Sequence, residues 1–168
     1  MTTLGVDQSL KATGLCILRD GEPVEWLTLR SNPRDDLDRR IAGIAKQVGV
    51  QIVGCQADVV AIEEPYIATW ERGAKGMAQA ADAMDLSKLT QAIAIEAARA
   101  GAQVVMVAPS DGFRALTGSG KGDKAMHVKW ANMRRGRLPK LKDGEDHCAD
   151  AFGIALHGER AAQLEATG

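Results

Sequence analysis

Two apolar stretches of this chain end in carboxylates. Asp7 follows the run that contains Leu4 and Val6, and Glu63 with Glu64 follows the apolar run in "ADVVAIEEPY". If both runs are strands lying side by side in one sheet, their carboxyl ends would bring Asp7 and Glu63 together. Two carboxylates at such an edge repel each other unless a cation lies between them. Mg²⁺ is a good candidate, because it binds a few carboxylates together with waters and substrate phosphates.

A third acidic group comes from the C-terminal segment "EDHCADAFGIAL". Asp146 and Asp150 are four residues apart and His147 and Asp150 are three apart, so on a helix either pair can face one site. The alternative is an ordinary solvated helix face, since Asp146, Asp150 and His157 fall on one stripe. Three carboxylates at the ends of elements favour the site over the solvated face.

The elements that must position these residues follow from hydrophobic patterning. Strands are predicted around Leu4 and Val6, in "TGLCILR" and in "PVEWLTLR", with "RDG" as the first turn, and these three form a meander. The next segment has apolar residues at helical spacing, and Asn32–Pro33 is taken as its start signal. A strand in "VVAIEE" follows, and a Gly/Ala-rich stretch, "ERGAKGMAQAADAM", leads into a long helix, "LSKLTQAIAIEAARAG".

A fifth strand is predicted in "AQVVMVAP", followed by a short helical turn, a basic helix and a C-terminal helix. This order predicts an α/β fold with a mixed five-stranded sheet, in which an antiparallel three-strand meander is joined by two further strands, with helices on both faces. A length of 168 residues with 45% apolar residues suits one domain spanning residues 1–168.

Charge and cysteine usage narrow the class of protein. The net charge is −1, but residues 114–142 hold nine basic side chains against the single acid Asp123. Such polarity suits a polyanionic partner held by one region, with carboxylates in another. Three widely spaced cysteines support neither a disulfide framework nor a cysteine zinc site. With no signal peptide or membrane span visible, we expect a soluble cytoplasmic protein without a membrane partner.

The glycine-rich "TGSGKGDK" resembles a phosphate loop but lacks the Walker A spacing. It also does not lie between a strand and the helix that it should cap. We therefore expect no nucleotide cofactor.

Four segments, in this order and spacing, resemble one known family: "LGVDQSLKATG", "VVAIEEPY", "APSDGFRALTGSGKGDKAMHVKW" and "HCADAFGIAL". The chain resembles the RuvC-type Holliday junction resolvases, which belong to the RNase H-like superfamily of nucleases. The resemblance implies an RNase H-like fold. It also implies a homodimeric DNA endonuclease that resolves four-way junctions by paired, metal-dependent phosphodiester hydrolysis on opposing strands.

By the same resemblance, Asp7, Glu63, His147 and Asp150 are the catalytic residues and the metal ligands. They would bind two Mg²⁺ ions, with Mn²⁺ able to substitute. His147 could instead orient the water or assist the leaving group, and the sequence does not choose between these roles.

The resemblance also implies contacts with branched DNA. The expected DNA-binding residues are Tyr66, Arg114, Lys121 and Lys124. Tyr66 would stack on a base near the junction crossover, and the three basic residues would contact or neutralise backbone phosphates.

Two departures from the family pattern fit a divergent or phage-type member. "QS" stands after Asp7 where the family usually has Pro-Gly-Ser, and the segment between Tyr66 and Met84 is longer and richer in Gly and Ala. The second departure leaves the substrate open. Other branched DNA, an RNA–DNA hybrid, and non-catalytic junction binding are the alternatives.

Overall fold

The computed structural model describes residues 1–65, 74–119, 123–142 and 144–168. Its sheet has five strands: β1 (Thr2–Asp7), β2 (Ala12–Arg19), β3 (Glu22–Arg30), β4 (Val59–Glu63) and β5 (Gln103–Val107). Their spatial order is β3-β2-β1-β4-β5. The pairs β1–β2 and β2–β3 are antiparallel, whereas β1–β4 and β4–β5 are parallel. This is the mixed sheet with an antiparallel meander that the sequence predicts.

The helices are α1 (Leu37–Cys55), α2 (Ala74–Arg99), α3 (Pro109–Thr117), α4 (Lys124–Arg134) and α5 (Asp146–Thr167). Apolar residues of α1 and α2 pack on one face of the sheet, and those of α3, α4 and α5 form the core of the other face. Helices on both faces are therefore confirmed. Within the described part of the chain, no helix is both long and apolar enough to cross a lipid bilayer.

The strands alternate between the two faces, as the period of two requires. Leu4 and Val6 of β1 belong to the core under α1 and α2, while Gly5 between them faces α5. A Cβ atom at Gly5 would lie 2.7 Å from the Ala155 Cβ. The missing side chain thus lets α5 lie directly on the backbone of the central strand.

The second strand repeats this arrangement at Gly14. A Cβ atom there would overlap the backbone carbonyl of His147 and lie 2.8 Å from the His147 Cβ. Because both contacts involve the start of α5, Gly14 sets how closely that end of the helix approaches the sheet. Gly14 therefore helps to hold the predicted site residues of α5 close to the carboxyl ends of the strands.

Helix α5 is buried along most of its length and contacts all five strands. Its predicted apolar side, Cys148, Phe152, Ala155 and Leu156, is buried in the structure. On the side facing α3, Gly153 lies against the backbone of Gly112. Because small residues lie on two sides of α5, the helix packs closely against both the sheet and α3.

Two predicted helix starts are wrong. Helix α1 begins at Leu37, where the Asp36 side chain accepts a hydrogen bond from the Arg39 N–H, and not at Asn32–Pro33. Asn32 instead accepts from the Arg34 N–H at 3.1 Å, which makes a turn that competes with helix formation. Helix α2 begins at Ala74, inside the Gly/Ala-rich stretch expected to precede it, because alanine is a strong helix former.

Candidate active site

The parallel pairing of β1 with β4 brings two predicted site residues to one edge of the sheet. Val6 pairs with Ile62, so Asp7 and Glu63 are the next residues along their strands. The Gln8 side-chain amide donates a hydrogen bond to the Glu63 carbonyl at 2.7 Å, which links the two strand ends. Asp7 and Glu63 therefore meet where the sequence predicts.

The first turns of α5 bring the other two predicted residues to the same edge. His147 Nδ1 lies 3.3 Å from Asp7 Oδ2. Asp150 is close enough to add electrostatic repulsion to both Asp7 and Glu63. The four residues predicted as catalytic thus form one cluster, although they come from three elements.

Burial and mutual repulsion disfavour the charged form of the carboxylates in this cluster. Burial, followed by repulsion from Asp7 and Asp150, raises the pKa of Glu63 to about 8, with Lys124 acting in the opposite direction. Burial also raises the pKa of Asp7, against the hydrogen bond with His147. That same hydrogen bond raises the pKa of His147. The cluster therefore holds more carboxylate than its own cationic groups neutralise.

This set of donors fits a divalent cation. The carboxylates of Asp7, Glu63 and Asp150 would supply hard oxygen ligands, and His147 would supply an imidazole nitrogen. Among residues 1–65, 74–119, 123–142 and 144–168, no group of three or more His, Cys, Asp or Glu side chains is already placed to hold a metal ion. Mg²⁺ usually takes only one or two carboxylates from a protein, and waters and substrate phosphates are its other ligands.

Of the predicted DNA-binding residues, Lys124 lies at the cluster. Its Nζ is 2.5 Å from Asp146 Oδ2 and 4.0 Å from Asp150 Oδ2. The hydrogen bond with Asp146 raises the pKa of Lys124 and lowers that of Asp146. Asp146 thus pairs with a lysine, whereas His147 and Asp150 belong to the carboxylate cluster.

The other three DNA-binding predictions have different outcomes. Arg114 is exposed and pairs with Asp111 on its own helix at 3.1 Å, so the structure does not bring it into the cluster. Tyr66 and Lys121 lie outside the described residues. The roles of all three stay predictions.

Sequence reasoning missed one residue at the cluster, His127. Only 5% of this residue is exposed, and its Nδ1 contacts Asp150 Oδ1. His127 also lines a cavity of about 200 Å³ together with Glu63, Lys124 and Asp150. Because Lys124 and His127 are three residues apart on α4, they share a helix face, and this spacing was the available signal.

The raised pKa of Glu63 predicts how the stability of the metal-free protein depends on pH. A carboxyl group whose pKa is raised on folding stabilises the fold below its unfolded value of 4.5, and this contribution is lost as the pH rises through about 8. Asp7 adds to the loss in the same direction. We expect the free energy of unfolding to fall by a few kcal/mol between about pH 5 and pH 9, measured by urea denaturation in EDTA.

Mg²⁺ should remove most of this loss at high pH, because metal binding requires ionised carboxylates. A free energy of unfolding that rises between these pH values in EDTA would contradict the prediction. Equal effects of Mg²⁺ at both ends of the range would contradict it as well.

The sequence and the fold both match one family of proteins. The sequence model of the family described as crossover junction endodeoxyribonuclease RuvC matches residues 3–157. The chain is 32% identical to the RuvC protein of Parvibaculum lavamentivorans, over 93% of this chain and 85% of that protein. It is 28% identical to the RuvC protein of Corynebacterium diphtheriae, over 94% of this chain and 99% of that protein.

Solved structures agree on the fold. Thermus thermophilus RuvC in complex with a Holliday junction substrate superposes with a TM-score of 0.77 and 20% identity, over 98% of this chain and 96% of that chain. This likeness confirms the RNase H-like fold expected from the resemblance. With the family match spanning most of the sequence, this chain belongs to the RuvC family of crossover junction endodeoxyribonucleases.

Proposed function

We propose that this chain is a divalent-metal-dependent endonuclease that resolves four-way DNA junctions by paired nicks on opposing strands. The relatives are named crossover junction endodeoxyribonucleases, and a similar structure binds a Holliday junction substrate. One observation in this chain carries the proposal. Asp7, Glu63 and Asp150, which are far apart in the sequence, meet at one edge of the sheet with too little positive charge to balance them.

Asp7, Glu63, His147 and Asp150 would hold two Mg²⁺ ions, for which Mn²⁺ can substitute. When bound, the ions supply Lewis-acid stabilisation of the scissile phosphate and activation of water. The residues prepare this chemistry. Burial and mutual repulsion raise the pKa of Asp7 and raise that of Glu63 to about 8, so a bound cation would compensate the charge that these carboxylates carry when ionised. His147 keeps its Nδ1 on Asp7, so Nε2 is the ring nitrogen left for an ion, a water or the leaving group.

On the DNA side, Lys124 is the basic residue placed to meet a phosphate beside the carboxylates. Its ammonium group already lies between Asp146 and Asp150, and 69% of its side chain is exposed. Tyr66, Arg114 and Lys121 would hold the strands further from the cluster. The whole chain would act as one nuclease domain.

The paired nicks require two sites, which we infer to come from a homodimer. Met84 and Ile95 of α2 are 64% and 52% exposed. They are eleven residues apart, about three helical turns, and so lie on the same side of the helix. These two exposed apolar side chains, although separated by polar residues, support packing against a second copy. A cytoplasmic location fits a DNA substrate and three free cysteines, Cys16, Cys55 and Cys148.

The test is cleavage of a labelled synthetic four-way junction beside a linear duplex of the same sequence, in Mg²⁺ and in EDTA. We expect paired nicks in the junction alone, only with Mg²⁺, and none with Asp7→Asn. If flaps or an RNA–DNA hybrid are cut in preference to the junction, the proposed metal site stands but the proposed substrate is wrong. If the protein binds the junction tightly but does not cut it in Mg²⁺ or Mn²⁺, the proposed nuclease activity is wrong and the chain is a junction-binding protein.

A further inference from the structure

His127 occupies an unusual position on α4. Its ring is buried and stacks on Phe113, with the ring centroids 4.1 Å apart and the planes 18° from parallel. Its Nδ1 contacts Oδ1 of Asp150, on the neighbouring helix α5. The ring therefore reaches the carboxylate cluster from α4, and its own motion is limited by the stacking.

The surroundings select one tautomer of this ring. Nε2 is buried and has no hydrogen-bond partner in the part of the chain that the structure describes. A proton on Nε2 would leave that N–H without an acceptor and would turn the Nδ1 lone pair toward a carboxylate oxygen. A proton on Nδ1 avoids both problems, so Nδ1–H donates to Oδ1 of Asp150.

The His127 ring is a more rigid hydrogen-bond donor to Asp150 than the nearby ammonium group of Lys124. Lys124 Nζ lies 4.0 Å from Oδ2, at the end of a flexible side chain that is 69% exposed. The imidazole of His127 has few rotatable bonds, and burial and Phe113 hold it in place. His127 is thus the group able to fix the rotation of the Asp150 carboxylate about its own axis.

A purely structural role would not need the polar ring. A buried histidine with one unpaired nitrogen is less favourable in a core than an apolar side chain of similar size. The hydrogen bond to Asp150 is the contact that an apolar residue could not make. Hydrogen bonds of this sort orient carboxylate ligands in metal sites and strengthen metal binding.

We propose that His127 is a positioning residue for the metal site, and that its Nδ1–H holds the Asp150 carboxylate in the orientation that a divalent ion requires. In this role His127 would act through Asp150 and would not itself bind the ion or the DNA. This role rests on the proposed function, because it takes Asp150 as a metal ligand.

Two substitutions separate the hydrogen bond from the packing. His127→Leu fills the core but removes the donor, whereas His127→Asn places an amide N–H near the position of Nδ1. Binding of Mn²⁺ to the DNA-free protein, measured by titration calorimetry, should weaken about 10- to 100-fold in His127→Leu and stay within about threefold of wild type in His127→Asn. In cleavage assays, His127→Leu should need more Mg²⁺ for half-maximal rate, with KM for the junction unchanged.

Nitrogen NMR of the wild-type, metal-free protein tests the tautomer without any substitution in the measured sample. We expect a protonated Nδ1 and an unprotonated Nε2 for His127. The reverse tautomer, or wild-type Mn²⁺ affinity in a folded His127→Leu protein, would overturn the positioning role. If His127→Leu does not fold, failure of His127→Asn to bind Mn²⁺ within the stated range overturns it.

Failure of the proposed function gives a different pattern. In that case the wild-type protein itself binds no Mn²⁺ and cuts no DNA, and the role of His127 fails with it. When wild type binds Mn²⁺ and cuts the junction, only the comparison of His127→Leu with His127→Asn and the NMR tautomer decide about His127.

Discussion

Replacing Glu63 by glutamine is expected to lower the rate of junction cleavage by at least about 10³-fold, equivalent to about 4 kcal/mol in the activation barrier. The amide keeps the size of the side chain but loses the charge that a metal ion needs. The same change should stabilise the metal-free protein above about pH 8. In wild type, ionising Glu63 there works against burial and against Asp7 and Asp150. Cleavage rates and urea denaturation in EDTA measure the two effects.

The neighbouring glutamate supplies the matched control. Glu64 is exposed and contributes its backbone N–H to Val107 O at 2.8 Å, a bond that a side-chain substitution leaves in place. Glu64→Gln should therefore cleave within about twofold of wild type, with stability changed by less than about 0.5 kcal/mol. Loss of activity in Glu63→Gln together with loss of stability at pH 9 would show that the carboxylate has a structural role instead.

Gly14→Ala is expected to destabilise the protein by about 3 kcal/mol or more, because the added methyl group overlaps backbone and no flexible side chain can move away. The obstruction lies at the His147 carbonyl, so any accommodation must lift the start of α5 from β2. Displacing catalytic groups by about 1 Å can cost about 10²-fold in rate. Whatever folded protein remains should therefore cleave poorly, even with saturating Mg²⁺.

Gly43 provides the control for this second substitution. A Cβ atom at Gly43 on α1 would meet nothing within 4 Å. Gly43→Ala should be neutral or stabilise the protein by about 0.5–1 kcal/mol, because alanine favours helix. Thermal melts and junction cleavage compare the two variants. Normal activity per folded molecule in Gly14→Ala would refute the view that Gly14 sets the position of α5.

Local patterns in the sequence were sufficient for much of the fold. Leu4 and Val6 alternate with Gly5, and this period of two predicts a strand whose carboxyl end carries Asp7. Val59–Ile62 is instead a continuous apolar run, which predicts a strand buried on both faces and places Glu63 at its end. The resemblance to known resolvases then identified His147 and Asp150, which spacing alone left open between a site and a solvated face.

What sequence reasoning missed depends on contacts between distant segments. Asn32–Pro33 is a reasonable helix start by composition, but the side chain of Asn32 closes a turn and Asp36 caps the helix. His127 looked like one more residue of a basic helix. Its role appears only when α4 packs beside α5 and the ring meets Asp150, a contact that no local pattern reports.

The burial of α5 has a consequence for how the protein loses activity. Partial unfolding usually begins with elements that have few buried contacts. Helix α5 contacts every strand of the sheet and carries His147 and Asp150 in its first turns. Releasing the body of this helix would require opening the whole core beneath it. The carboxylate cluster is therefore anchored to a part of the molecule that opens late, and the amide protons of α5 beyond its first turn should exchange with solvent only when the entire domain unfolds.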